Sequence, residues 1–267
     1  MRMESWERDV AVRPCVEVCC ILSLVDETTL LVLAVVFLAT LVRSALGFGE
    51  ALVGVPLLAF IMPVEQAVPL MVLVSVVVAA VVLLQDWRHV HITTASWLLV
   101  WTLFGIPCGL LLLTAGDERV VKAILGAIIV GFSSYALASR SKLELKTDRL
   151  AGVFGFAAGV LGGAYGMNGP PLVIYGTLRR WSAAQFRATL QGYFLPASVV
   201  ALVGYALAGL WVREVTLYFL FSLPVALAAT LLGQVAHRRL SGRAFVVWVH
   251  ALLIAVGVAL WAQCIWG

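Results

Sequence analysis

Ten apolar runs recur along the chain, at 28–46, 51–62, 66–84, 96–114, 119–138, 150–165, 171–178, 185–208, 214–236 and 244–266. Most approach the roughly 20 residues that the hydrocarbon core of a bilayer requires of a helix. In lipid every backbone amide and carbonyl must be satisfied within the protein, so only helices and closed barrels can cross. The runs are continuous rather than alternating, which removes the two-residue period of a barrel. An all-α polytopic membrane protein is therefore predicted, with one membrane domain. Composition agrees, since 63% of residues are apolar and 12% are charged, about half the charged share of a soluble domain.

Residues 1–27 carry both charge signs, with Arg2, Glu4, Glu7, Arg8, Arg13 and Glu17. Their apolar stretch near Cys19 to Val25 is short and lacks a small-residue cleavage site, so a tail rather than a signal peptide is expected. The five cysteines show no paired CxxC spacing with histidines, which predicts neither a zinc site nor a disulfide framework. Gln85 to His91 reads as an interfacial turn, and His89 and His91 lack the company of a metal site. A formal charge of +4 calls for no nucleic acid; basic residues here set orientation. No hydrolase elbow, HExxH, Walker A or dinucleotide fingerprint stands in a suitable context, so neither an enzyme nor a cofactor is expected.

The chain also repeats itself. Gly47 to Leu57 aligns with Gly162 to Leu172 at an offset of 115 residues, and Ser75 to Ala79 aligns with Ser198 to Leu202 at an offset of 123. In the first match a glycine-rich break interrupts an apolar run and is followed by Pro-Leu and an arm too short to cross alone. Two repeats are predicted, 28–138 and 150–267, joined by a basic linker at 139–149. A lone GxxxG would mean only close helix packing. Two matching breaks suggest re-entrant or broken hairpins around a midplane site, because irregular backbone at membrane depth must be buried in protein or line a wet cavity.

One hairpin and three full spans per half would invert the second repeat. The loops then divide Lys and Arg eleven against six, with Arg140, Lys142, Lys146 and Arg149 on the richer side. The positive-inside rule puts that linker in the cytoplasm and both termini outside.

Arg43 lies inside an apolar run, four residues before Gly47. A guanidinium there either snorkels from a helix end or faces the protein interior as a fork of donors for an oxyanion. Glu50 is its counter-ion, a carboxylate that carries a proton, or a solvated tip residue. Gly166, Asn168, Gly169 and Pro170 read as a helix restart, with Asn near the cap and proline in the first turn, so that free amides and the positive end of the helix dipole face the midplane. Arg187 and Gln191 share a helix face at i, i+4, with Tyr193 and Ser198 downstream; Arg187 lines the same pore or faces lipid headgroups.

Arg43-Ser44-Ala45-Leu46-Gly47-Phe48-Gly49-Glu50 with its continuation to Leu58, the stretch Gly159 to Leu172, and Gln185-Phe186-Arg187-Ala188-Thr189 together resemble the sulfite exporter TauE/SafE-like permeases. This chain has Glu50 where the family's first motif often has another glycine. The resemblance implies a multi-pass permease of a bacterial inner membrane whose substrates are small anions, sulfur oxyanions or organosulfonates such as sulfite or sulfoacetate. It is compatible with a homodimer. On this reading the substrate site comprises Arg43, Gly47, Gly49, Glu50, Gly166, Asn168, Gly169, Pro170, Arg187 and Gln191, and transport is by alternating access. A channel-like anion facilitator or a membrane scaffold is the alternative. Replacing Arg43 by Gln is expected to abolish flux and to leave the fold intact.

Overall fold

The computed structural model describes residues 26–46, 48–86, 92–138, 145, 150–240 and 243–266. Residues 1–25 of the tail expected at 1–27, residues 87–91 of the turn expected at Gln85 to His91, Gly47 and nearly all of the 139–149 linker lie outside them, whereas Glu27, Gln85 and Asp86 are helical. Ten helices and no strand occur among the described residues: α1 (Glu27–Leu46), α2 (Glu50–Leu58), α3 (Val64–Asp86), α4 (Ile92–Ala115), α5 (Glu118–Ala138), α6 (Ala151–Tyr165), α7 (Gly169–Leu178), α8 (Ala183–Leu207), α9 (Arg213–Leu240) and α10 (Arg243–Trp266). Every helix begins and ends within four residues of an apolar run. Five are long and apolar enough to cross a membrane. Polarity is distributed as lipid solvation demands: Phe104, Leu111, Val153 and Leu207 face outward, while Thr40, Arg43, Glu50, Thr102, Asn168, Ser198 and His250 are buried.

The most extensive helix contacts survive exchange of α1–α5 with α6–α10, although α2 also packs on α5 and α10 where α7 makes no comparable contact among the described residues. α1 lies on α9 and α6 on α4; α9 touches α3 and α4 touches α8; α3 meets α8, and α5 meets α10. Divided about the extensive contact between α3 and α8, the helices α1, α2, α3 and α9 form one group and α6, α7, α8 and α4 the other, so each mixes elements from both ends of the chain.

The alignment offset needs correction. The short helices after the breaks begin at Glu50 and Gly169, an offset of 119 rather than 115, a difference of about one helical turn. The Pro-Leu match misled because the prolines occupy different places: Pro56 sits inside α2, whereas Pro170 and Pro171 stand in the first turn of α7.

Small residues explain how the second group closes. On α4, a Cβ at Gly105 would overlap the carbonyl oxygen of Phe156, and one at Gly109 would overlap that of Val160. On α6, Gly155, Gly159 and Gly163 are pressed in the same way against the backbone at Leu98, Thr102 and Ile106. Such contact maximises dispersion where lipid removes any hydrophobic drive between helices. Hydroxyls bolt the seam. Thr102 Oγ1 bonds Gly155 O at 2.8 Å and lies 2.6 Å from Tyr193 Oη of α8, while Tyr205 Oη donates to Gly162 O at 2.7 Å.

Candidate functional site

Each break is made by a glycine in the left-handed region. Gly49 has φ 98° and is the N-cap of α2, its carbonyl accepting from the Val53 amide at 3.1 Å. The helix thus leaves the amides of Glu50, Ala51 and Leu52 without an intrahelical partner. Gly166 has φ 66° and ends α6; its amide donates to Gly162 O at 2.8 Å, and the Met167 amide winds back to Leu161 O at 3.1 Å.

No atom lies within 4 Å of a Cβ built on Gly49, so Gly49→Ala isolates the conformational cost. It should destabilise the fold by about 1–2 kcal/mol, read as a lower unfolding midpoint in detergent. Gly49→Asn should recover part of the loss, because Asn tolerates that region. Equal midpoints for the wild type and the alanine variant would contradict the turn geometry.

α7 restarts as expected, with Asn168 at the cap and proline in the first turn. Asn168 holds the N-cap position with helical dihedrals (φ −71°, ψ −19°) and makes no side-chain cap bond. Its side chain is wedged over Gly162, where even a methyl group would collide with Oδ1. Pro170 and Pro171 have no N–H, so the amides available at this end are those of Asn168 and Gly169. The buried Asn168 Oδ1 has no hydrogen-bond partner among the described residues.

Both breaks open onto one cavity. Gly49, Glu50, Ala51 and Leu52 line it from the first break; Gly166, Met167, Asn168, Gly169 and Pro170 line it from the second. Arg43 enters from α1, Ser75 from α3, and Phe194 and Ser198 from α8. The cavity thus separates the two helix groups. Of the residues singled out from the sequence, Arg43, Gly49, Glu50, Gly166, Asn168, Gly169 and Pro170 are brought together here. Gly47 and the side chains of Arg187 and Gln191 lie outside the described residues. Tyr193 points away, to Thr102.

Arg43 does not snorkel. It is 2% exposed, and its Nη1 donates to Glu50 Oε2, to Ser75 Oγ and, at 3.2 Å, to Ser75 O. The guanidinium carbon stands 5.7 Å from the centre of the Phe194 ring, a cation–π distance. Glu50, 3% exposed, takes a further bond from Thr40 Oγ1 at 2.8 Å through its other oxygen. Desolvating two ions costs several kcal/mol each, and pairing offsets this only when added hydrogen bonds satisfy the heads. Thr40 and Ser75 supply them.

Ser75 and Phe194 had not been singled out as site residues. Ser75 was legible in principle, as the partner of Ser198 in the second repeat match; Phe194 carries no such signal. Beside the cavity, Phe48 stands edge-on to Phe132 and Phe186, at 6.5 and 6.4 Å between ring centres.

Comparison with known proteins adds two findings. A family model described as "Sulfite exporter TauE/SafE" matches residues 32–260. A Cupriavidus necator protein named "Probable sulfite/organosulfonate exporter TauE" is 25% identical over 195 residues, 72% of this chain and 76% of that one. No solved structure matches the chain.

Proposed function

From the premise that the chain belongs to the sulfite exporter TauE/SafE family, we propose that it is a secondary permease of small anions, in particular sulfur oxyanions or organosulfonates. A member of a transporter family with five helices able to cross a bilayer is a multi-pass membrane protein; we assign it to the bacterial inner membrane. The observation that carries the reading is the meeting of two helix interruptions and a buried guanidinium in one cavity. An oxyanion shedding its water there would find replacements in Arg43, in the Ser75 and Ser198 hydroxyls, and in the amides at the starts of α2 and α7. Arg187 and Gln191, on α8 with Ser198, would complete the cage. The name of the C. necator relative supports a sulfur-containing cargo.

Alternating access follows from the two helix groups that flank the cavity. Rocking of α1–α2–α3–α9 against α4–α6–α7–α8, about the contact between α3 and α8, would open the cavity to one side and then the other. Packing that survives exchange of the two halves supports inverted repeats, with the basic linker in the cytoplasm. Each rigid unit draws on both repeats, so the moving bodies are not the halves of the sequence.

Uptake into proteoliposomes of sulfite, thiosulfate, sulfoacetate, taurine and small carboxylates, with and without a pH gradient, tests the proposal. Saturable flux favouring sulfur oxyanions or sulfonates is expected. Flux that never saturates would indicate a channel-like facilitator. No flux of any anion would remove the transport reading.

A further inference from the structure

Among the described residues that line the cavity, Arg43 and Glu50 are the charged ones, and they neutralise each other. An anion that docks on Arg43 therefore meets a carboxylate already bound to the same nitrogen. Resting on the permease reading, we propose that Glu50 takes up one proton each time an anion binds at Arg43, so that the site carries anion and proton together.

The surroundings of Glu50 leave it few other ways to shed its charge. Besides α1, which brings Arg43 and Thr40, its helix α2 packs on α3, α5 and α10. α3 contributes Ser75 to the same cluster, bonded to Arg43. The acidic residue of the first turn of α3, Glu65, precedes Ser75 by ten residues, roughly 15 Å along a helix. α5 brings Phe132, with Glu118, Arg119 and Lys122 confined to its first two turns. α10 starts at Arg243 and brings His250, whose ring stands edge-on to Phe132 at 5.8 Å and has no hydrogen bond or ion pair to Glu50 among the described residues. Among the described residues Arg43 is thus the one cation paired with the carboxylate, and an anion that takes it leaves two negative charges side by side in a low-dielectric pocket.

Protonation resolves the conflict. A hydronium ion at the cavity mouth gives its proton to Oε2 of Glu50, one O–H bond breaking as the other forms and a water molecule leaving, and the Arg43 Nη1 donors pass to the anion. Thr40 still serves Oε1, and the new O–H becomes one more donor facing the ligand. Anion binding and proton binding then favour each other by linkage.

Ethanesulfonate, which has no titrating group near neutral pH, is a suitable probe for the purified full chain in lipid nanodiscs. Because one proton enters with each anion, affinity should fall about tenfold per pH unit. A pH dye in weak buffer should report close to one proton taken up per anion bound. Glu50→Gln should bind the anion with no proton uptake and an affinity that is flat with pH. Binding by the unaltered chain without proton uptake would overturn the coupling and leave the anion site standing. If neither ethanesulfonate nor any anion of the transport panel binds, the permease reading fails and the coupling with it.

Discussion

Arg43→Gln is expected to reduce anion flux in reconstituted vesicles by about a hundredfold or more and to lower fold stability by about 3–5 kcal/mol. The two losses have different causes and can be separated. Flux falls because the guanidinium fork is the strongest donor in the cavity. Stability falls because the substitution leaves Glu50, 3% exposed, as a buried charge whose remaining side-chain hydrogen bond among the described residues is that from Thr40. The sequence suggests a variant that still folds, and that would hold if Glu50 were a solvated tip residue. Burial makes the single variant the wrong test of transport. Arg43→Gln combined with Glu50→Gln replaces an ion pair by two neutral amides of similar shape, so it should regain most of the lost stability and none of the flux. Unfolding midpoints and initial uptake rates of the two variants check this. Uptake by the double variant at the wild-type rate would remove Arg43 from substrate binding. A single variant as stable as the wild type would mean that the carboxylate is not held by the guanidinium.

Much of this arrangement is legible in the sequence because a bilayer permits few backbone solutions. Apolar runs predicted the helices to within four residues, and the paired breaks pointed to the walls of the cavity. The 115-residue offset failed for a local reason: proline is tolerated inside α2 but opens α7, so matching prolines does not match turns. Asn168 and Pro170 stand where the sequence places them at the start of α7, yet helical dihedrals and contact with Gly162 leave the Asn168 side chain without a cap bond. Long-range partners were the least legible. Nothing local tells Arg43 that Ser75 will meet it from α3 and Phe194 from α8. Nor does an alternation of halves along the chain reveal that α4 packs with the second half and α9 with the first.

That crossing of the halves gives the second large effect. Gly109→Ala should destabilise the protein by about 1–3 kcal/mol or more and impair transport, although Gly109 lines no part of the cavity. The added Cβ would overlap the Val160 carbonyl oxygen and stand 2.7 Å from the Ala164 amide nitrogen. Both obstacles are backbone, so no rotamer change relieves them and α6 must move as a unit. α6 runs directly into Gly166 and Asn168; displacing it shifts one wall of the cavity relative to Arg43. Gly131→Ala on α5 is the control, since nothing lies within 4 Å of its Cβ, and there the greater helix propensity of alanine should leave stability equal or about 0.5–1 kcal/mol higher. Folded yield, unfolding midpoint and uptake rate should all drop for Gly109→Ala and none for Gly131→Ala. If the two variants behave alike, α4 and α6 do not cross at backbone contact, and the rigid unit proposed to rock about the substrate loses its seam.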